Sequence, residues 1–372
     1  MDTERHNAEV ASLRDAYSRD QHWRVPVTVA FDEQFLLHRS GVSFGKYYRD
    51  VPTQVAVQLR SQQWIRETIV QDAPRGLPDQ WHLAVPSWTE ENAFFGAEVA
   101  EQENDYWWGQ PLVLGKSKLL RHLHGLDVEE RLRQGTCYQQ YVEMKRLVDG
   151  MEHCGRPVVI APPPLLSTHG LFTKAAEIRG LEQLCVDLHE DPVFVRELLT
   201  TVTELTIQRI KCWQVLCGVE RTFPMEGGWG LCDDSLQLIS RAHYEEFVLP
   251  CHQRIYSEMT TGTRHIHLCG HVQHLFKTLH QALAITVFDG PGTQVDLPRM
   301  IGDIGDRVTI QAQVSHGLLA SSRNAIESAV RQVLDERVKR GARMTLLGYA
   351  PRAAPLENLQ FFYECARAHG VL

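Results

Sequence analysis

From residue 156 onward the chain alternates short apolar or β-branched runs with longer helical stretches, a pattern that few folds accommodate. RPVVIAP (156–162) is a strand-like run stopped by prolines. The stretch DPVFVRELLTTVTELTIQRIKCW reads as a helix: Asp191 can cap it, and Pro192 suits a first position whose N–H has no partner anyway. Val195, Leu198, Val202 and Leu205 line one of its faces. RTFPMEGG (221–228, strand), SRAHYEEFVLPCHQRIYSEM (240–259, helix), RHIHLCG (264–270, strand) and AITVFDG (284–290, strand) continue the series. RVTIQAQV and ARMTLLG add two more strands, and PLENLQFFYECARAHG the last helix. Strands separated by helices imply βα units around a parallel sheet. The units suffice for a closed (β/α)₈ barrel, and no glycine-rich phosphate loop marks a doubly wound nucleotide fold. The expected architecture is α/β: a single (β/α)₈ TIM barrel over 25–372, after an N-terminal helical extension over 1–24. The stretch 71–136, with Pro74, Pro78, Pro86 and several tryptophans, reads as an elaborated loop region.

Composition narrows the function. A net charge of −8 without a Lys/Arg block argues against a nucleic-acid footprint. An anionic substrate stays open, since one or two arginines in a cleft can hold a carboxylate. The nine cysteines are odd in number and scattered, which reads as reduced thiols rather than a disulfide framework. The start MDTERHNAEVASLRDAY lacks the apolar centre of a signal peptide, and no apolar run is long enough to span a membrane. A cytoplasmic, soluble protein is expected.

In a barrel, chemistry sits where strands end, so Glu226, His267, Cys269, Asp289, Gln313 and Tyr349 become candidates. His267 and Cys269 stand two apart on an expected strand and so share a face. An imidazole and a thiolate together can hold zinc, which would activate a thiol or another weak nucleophile. Ordinary packing of a buried Cys and a strand-capping His is the alternative.

The stretches HIHLCGHVQHLF, DDSLQLISRAHYEEFVLPCHQRI, GLEQLCVDLHEDPVFVRELL and PLENLQFFYECARAHG resemble the uroporphyrinogen decarboxylase superfamily, most closely its cobalamin-linked methyltransferase-like and uncharacterised branches. The likeness covers roughly 150–372 well and the N-terminal part loosely. It implies a (β/α)₈ barrel and, for the methyltransferase branch, a zinc held by H-x-C plus a distant cysteine, with a corrinoid protein as methyl partner. His267 and Cys269 match; Tyr349 stands where the distant cysteine is expected. Glu226 or Asp289 is then the expected third ligand. The decarboxylase branch uses no metal, an N-terminal arginine motif and an aspartate. Arg39 in LHRSGVSFGKYYRD could match one arginine, while Val42 sits where the second would be. A barrel retained as a non-catalytic ligand binder is a third reading, and a homodimer is implied by the resemblance alone.

Further residues complete the expected site. Of Asp233 and Asp234 only one should face the cleft; a helix cap is the alternative. Trp229 could wall the cleft, and His316 could reach it from beyond a strand. APPPLL with His169 resembles the family's loop over the substrate. His271 could support a ligand from behind. Tyr106, Trp107 and Trp108 could line a flat ligand, core packing being the alternative.

Overall fold

The computed structural model describes residues 2–163, 167–220, 222–305 and 308–372. Its strands are β1 (Val27–Phe31), β2 (Trp81–Leu83), β3 (Val99–Ala100), β4 (Trp108–Gly109), β5 (Glu152–His153), β6 (Arg156–Ile160), β7 (Ser167–His169), β8 (Trp229–Cys232), β9 (Arg264–His267), β10 (Ile285–Gly292), β11 (Thr309–Gln313) and β12 (Arg343–Ala350). Seven of them form one parallel sheet in the order β1-β12-β11-β10-β9-β8-β7. Helices connect successive strands of this sheet, as the alternation of the sequence requires, and the chain folds as a single α/β barrel of the (β/α)₈ type.

The barrel wall is hydrogen-bonded over these seven strands. β2 and β6, which fall between β1 and β7 in chain order, pair in parallel with each other instead. The free edge of β1 is covered by a loop. Val27 N–H donates to Asp72 Oδ2 at 2.7 Å, and Val29 N–H to Gln71 Oε1 at 2.7 Å. The Asp72 N–H returns to the Val27 carbonyl at 2.9 Å. Such side-chain closure keeps an edge from pairing elsewhere. Asp72 also takes both Nη groups of Arg24 and the Tyr363 hydroxyl, which ties the N-terminal segment to the last helix, Leu356–His369.

Strand alternation divides core from lumen. In β12 Met344, Leu346 and Ala350 are buried, while Thr345, Leu347 and Tyr349 are only partly so. Gly348 has the parity of the first group, and a Cβ there would lie 2.7 Å from Phe362 of the last helix. Tyr349 therefore faces the lumen. The helix Pro192–Cys217 begins as the sequence predicts, with Asp191 Oδ1 accepting from Phe194 N–H. Two expected helices differ in detail. The stretch 240–259 contains a π-turn over Tyr244–Val248, just ahead of Pro250, which has no N–H to donate. SSRNAIESAVRQVLDERVKRG (321–341), whose apolar positions Ile326, Val330, Val333, Leu334 and Val338 read as one helix, is split by Asp335, which caps a new start over Glu336–Gly341.

Candidate metal centre at the mouth of the barrel

The register of the sheet builds one row of residues across five neighbouring strands. His169 stands opposite Cys232, Cys232 opposite His267, His267 opposite Asp289, and Asp289 opposite Gln311. Directly paired residues of parallel strands point the same way, and neighbouring strands are roughly 5 Å apart. The row lies at the C-terminal ends of the strands, where a barrel keeps its chemistry.

Two members of the row converge with Asp234 on one point. The thiol of Cys232, a carboxylate oxygen of Asp234 and a ring nitrogen of His267 all lie within 4.8 Å of one another. Asp234 sits just beyond β8; its Oδ1 accepts from the Cys269 N–H at 2.9 Å and lies 3.8 Å from His267 Nε2. Its Oδ2 accepts from the Cys232 thiol at 3.5 Å. Behind the imidazole, His267 Nδ1 meets Asp289 Oδ2 at 2.7 Å, and the other oxygen of Asp289 accepts from Gln313 Nε2 at 3.0 Å. Gly290, at φ +95°, turns the chain directly after Asp289; a Cβ there would also come within 2.9 Å of the Leu268 backbone.

The electrostatics follow from this packing. Burial would lower the His267 imidazole, but the hydrogen bonds of Asp289 and Cys269 and the charges of Asp289 and Asp234 push it up to about 10. Burial, with Asp234 alongside, pushes the Cys232 thiol up. Burial and the nearby Asp289 likewise raise the Tyr349 phenol.

The donor set fits a divalent ion of the zinc type. Thiolate, imidazole and carboxylate are its ligand types, and a tetrahedral ion spaces its donors about 3.3–3.8 Å apart, a small contraction of the group. The Asp289–His267 pair has the form of a carboxylate fixing a ligand histidine from behind. Three protein donors leave a fourth position free for a substrate.

The structure redistributes the residues expected from the sequence. His267, Asp289 and Asp234 come together. Cys269 does not continue the pleat, because β9 ends at His267; its thiol stays in hydrogen-bonding contact with His267 on the exposed rim, outside the tight three-atom group. Glu226 is displaced altogether. The strand expected over 221–228 is instead Trp229–Cys232, so Glu226 precedes it and stands exposed at the opposite end of the barrel. Trp229 is likewise no cleft wall: its parity is opposite to that of Cys232, and it is buried edge-on against Tyr256 at 5.6 Å.

Asp233 is fully buried and serves the fold. Its Oδ1 accepts from Thr173 N–H and hydroxyl at 2.8 Å, and its Oδ2 accepts from Phe172 N–H at 3.3 Å and meets His252 Nε2 at 2.9 Å. It thus caps the helix Leu171–Arg179 from a distance. Gly170 permits the approach, since a Cβ there would lie 2.0 Å from the Asp233 side chain. Arg39 is exposed with its guanidinium 3.8 Å over the Trp64 ring and makes no contact with the metal-type group among the described residues. His316 stacks on Tyr349 at 4.8 Å and lies 3.7 Å from Asp32, forming a second wall of the mouth. His271 Nδ1 bonds to the Gln294 carbonyl at 3.1 Å rather than to a ligand. Trp107 packs with Tyr48 in a small satellite core, Tyr106 packs on Phe44 of that core and on the exposed Trp88, and Trp108 packs on Trp88. Residues 164–166 of the APPPLL loop lie outside the described residues.

Two functional features escape the sequence. Cys232 stands among nine scattered cysteines, and only the register places it beside His267. His169 belongs to a buried ionic cluster: its Nδ1 meets Glu91 Oε2 at 3.1 Å, and Glu91 Oε1 accepts from Arg209 Nη2 at 2.6 Å. Lys174 lies 3.6 Å from the same carboxylate. Burial opposes ionisation here, yet the cations hold the Glu91 carboxyl well below its ordinary range, and Glu91 raises His169 in turn.

No helix is long and apolar enough to cross a membrane among the described residues. A search of curated proteins finds no match. Among solved structures, a methyltransferase from Methanosarcina mazei superposes with a TM-score of 0.62 at 15% identity, over 96% of this chain and 98% of that one. A B12-independent methionine synthase from Shewanella sp. W3-18-1, in complex with selenomethionine, gives 0.36 at 8% identity over 74% of each chain. The first likeness concerns the fold; the second is too slight to carry an argument. The family model described as Uroporphyrinogen decarboxylase (URO-D) matches residues 166–369, more than half of the chain and the whole arc from β8 to β12 that carries the metal-type group. With barrel, register and family model in agreement, the chain belongs to the uroporphyrinogen decarboxylase family.

Proposed function

We propose that this protein is a zinc-dependent methyltransferase that moves a methyl group between a small substrate and a corrinoid protein or thiol. The observation that carries this reading is the convergence of Cys232, Asp234 and His267 within 4.8 Å, with Asp289 fixing the imidazole from behind. Its other support is the fold shared with the Methanosarcina methyltransferase. The corrinoid partner and a homodimer rest on the family resemblance.

Cys232, Asp234 and His267 would hold the ion. Bound there, it would act as a Lewis acid on a substrate sulfur or oxygen. Asp289 keeps Nδ1 of His267 engaged, so that Nε2 is the nitrogen presented to the mouth. Asp234 spans β8 and the end of β9 through its bond to the Cys269 N–H, which holds the two ligand-bearing strands in register. Tyr349, His316 and Cys269 border the open side, and His169 faces it from β7, held by Glu91.

A metal-free decarboxylase is the competing reading. Of its two candidate aspartates, Asp233 is consumed in holding Phe172, Thr173 and His252, which leaves Asp234. Metal analysis decides between them. The wild-type protein is expected to bind zinc at one ion per chain, and His267→Ala and Cys232→Ala to lose it. Zinc content unchanged in both variants would refute the reading.

A further inference from the structure

Beside the barrel mouth lies a cavity of about 360 Å³ to which none of Cys232, Asp234 and His267 contributes. Its size suits a ligand of one or two rings. Tyr48, Trp88, Trp107, Tyr138 and Trp213 are among its walls. The polar ends of three of them are already engaged. The Tyr48 hydroxyl donates to Glu33, Trp107 Nε1 to the Gln102 carbonyl at 2.8 Å, and Trp213 Nε1 to Glu90 Oε1 at 3.1 Å. What they offer the cavity is ring surface, which stacks on planar ligands.

The charges lining the cavity are unequal. Glu90 gives one oxygen to Trp213 and the other to the buried Arg209, so it already has a cation partner. Glu101 is paired with Arg49. Arg131 is different. Its Nε donates to the Phe94 carbonyl at 3.2 Å and its Nη2 to the Ala93 carbonyl. Those two carbonyls hold the guanidinium in place without neutralising it. Among the described residues no carboxylate pairs with Arg131, and its Nη1 has no hydrogen-bond partner. A fixed guanidinium with a spare N–H in an aromatic-walled space favours an anion that can accept a charge-assisted hydrogen bond.

We propose that this cavity binds a planar aromatic carboxylate of one or two rings, with its carboxylate on Arg131 and its ring among Trp88, Trp107 and Trp213. The site is independent of the metal-type group and of the activity proposed for it. Trp88 packs edge-on against His169 at 5.7 Å, so an occupant of the cavity would also steady the ring that borders the barrel mouth.

The test uses chelator-treated full-length protein, so that no metal can bind a carboxylate. 2-Naphthoate and its neutral counterpart 2-naphthamide are titrated in turn, with heat and tryptophan fluorescence as readouts. Naphthoate is expected to bind about tenfold or more tightly than the amide, the worth of one charge-assisted contact. Arg131→Gln should abolish that preference and Arg131→Lys should keep most of it. Ala97→Phe, which fills the cavity, should weaken both ligands. Equal affinity for the two ligands, binding of neither, or a preference that survives Arg131→Gln would overturn the proposal. Should Arg131→Gln fail to fold, undiminished binding by Ala97→Phe would overturn it equally.

Discussion

His267 and Asp289 meet at 2.7 Å across adjacent strands, Nδ1 to Oδ2, and this one contact decides which ring nitrogen faces the barrel mouth. It also puts a negative charge behind the imidazole, which strengthens the ring as a metal donor. Asp289→Asn keeps the shape and removes the charge. Zinc affinity, measured by competition with a chromophoric chelator, should fall about 10–100-fold, the usual cost of losing such a partner. An unchanged affinity would mean that the imidazole is not a ligand.

Asp233 should behave as a structural residue, not a catalytic one. Both its partner His252 and its own side chain are fully buried. Removing one member of a buried hydrogen-bonded pair typically costs about 3–5 kcal/mol. Asp233→Ala should therefore destabilise the protein by that order in urea unfolding, while the folded fraction keeps its metal content. A stable variant that had lost only activity would return Asp233 to the site.

Glu226→Gln should be silent. The residue is exposed and lies at the end of the barrel away from Cys232 and His267. Stability should stay within about 0.5 kcal/mol of wild type, as for most surface changes, with zinc content equal. Metal loss in this variant would return Glu226 to the ligand set.

The His169–Glu91 pair predicts a pH dependence whose sign can be worked out. The His169 pKa is raised above 6.5 in the fold, so its stabilising contribution is complete below about pH 6.5 and fades as the pH climbs through the folded value. Glu91 is held below 4.5, so its contribution is present above that value and fades in acid. The stability advantage of wild type over His169→Gln should accordingly be larger at about pH 5.5 than at about pH 9. A constant difference across that range would disprove the coupling.

Much of the barrel can be read from the chain because the signals are local. The alternation of β-branched runs and helices, Asp191 capping a helix that starts at Pro192, and the terminal helix after Pro355 each depend on neighbours within a few residues. The same locality explains the errors. RTFPMEGG has the apolar character of a strand, yet WGLC, one step later, is the segment that pairs with β9, so Glu226 and Trp229 fell on the wrong end and the wrong face. Because side chains alternate along a strand, a shift by an odd number of residues exchanges one face for the other.

The sequence by itself determined the architecture and singled out His267, Asp289 and Asp234, since strand ends of a barrel are marked by local pattern. Only the tertiary structure decided that Cys232 and Asp234 form the three-atom group with His267 while Cys269 stays on the rim, that Asp233 is buried while its neighbour lies at the barrel mouth, and that Glu91 stands behind His169. These are choices between residues distant in the chain, set by the register of parallel strands and by which carboxylate can bury its charge against a partner. No spacing along the chain encodes either.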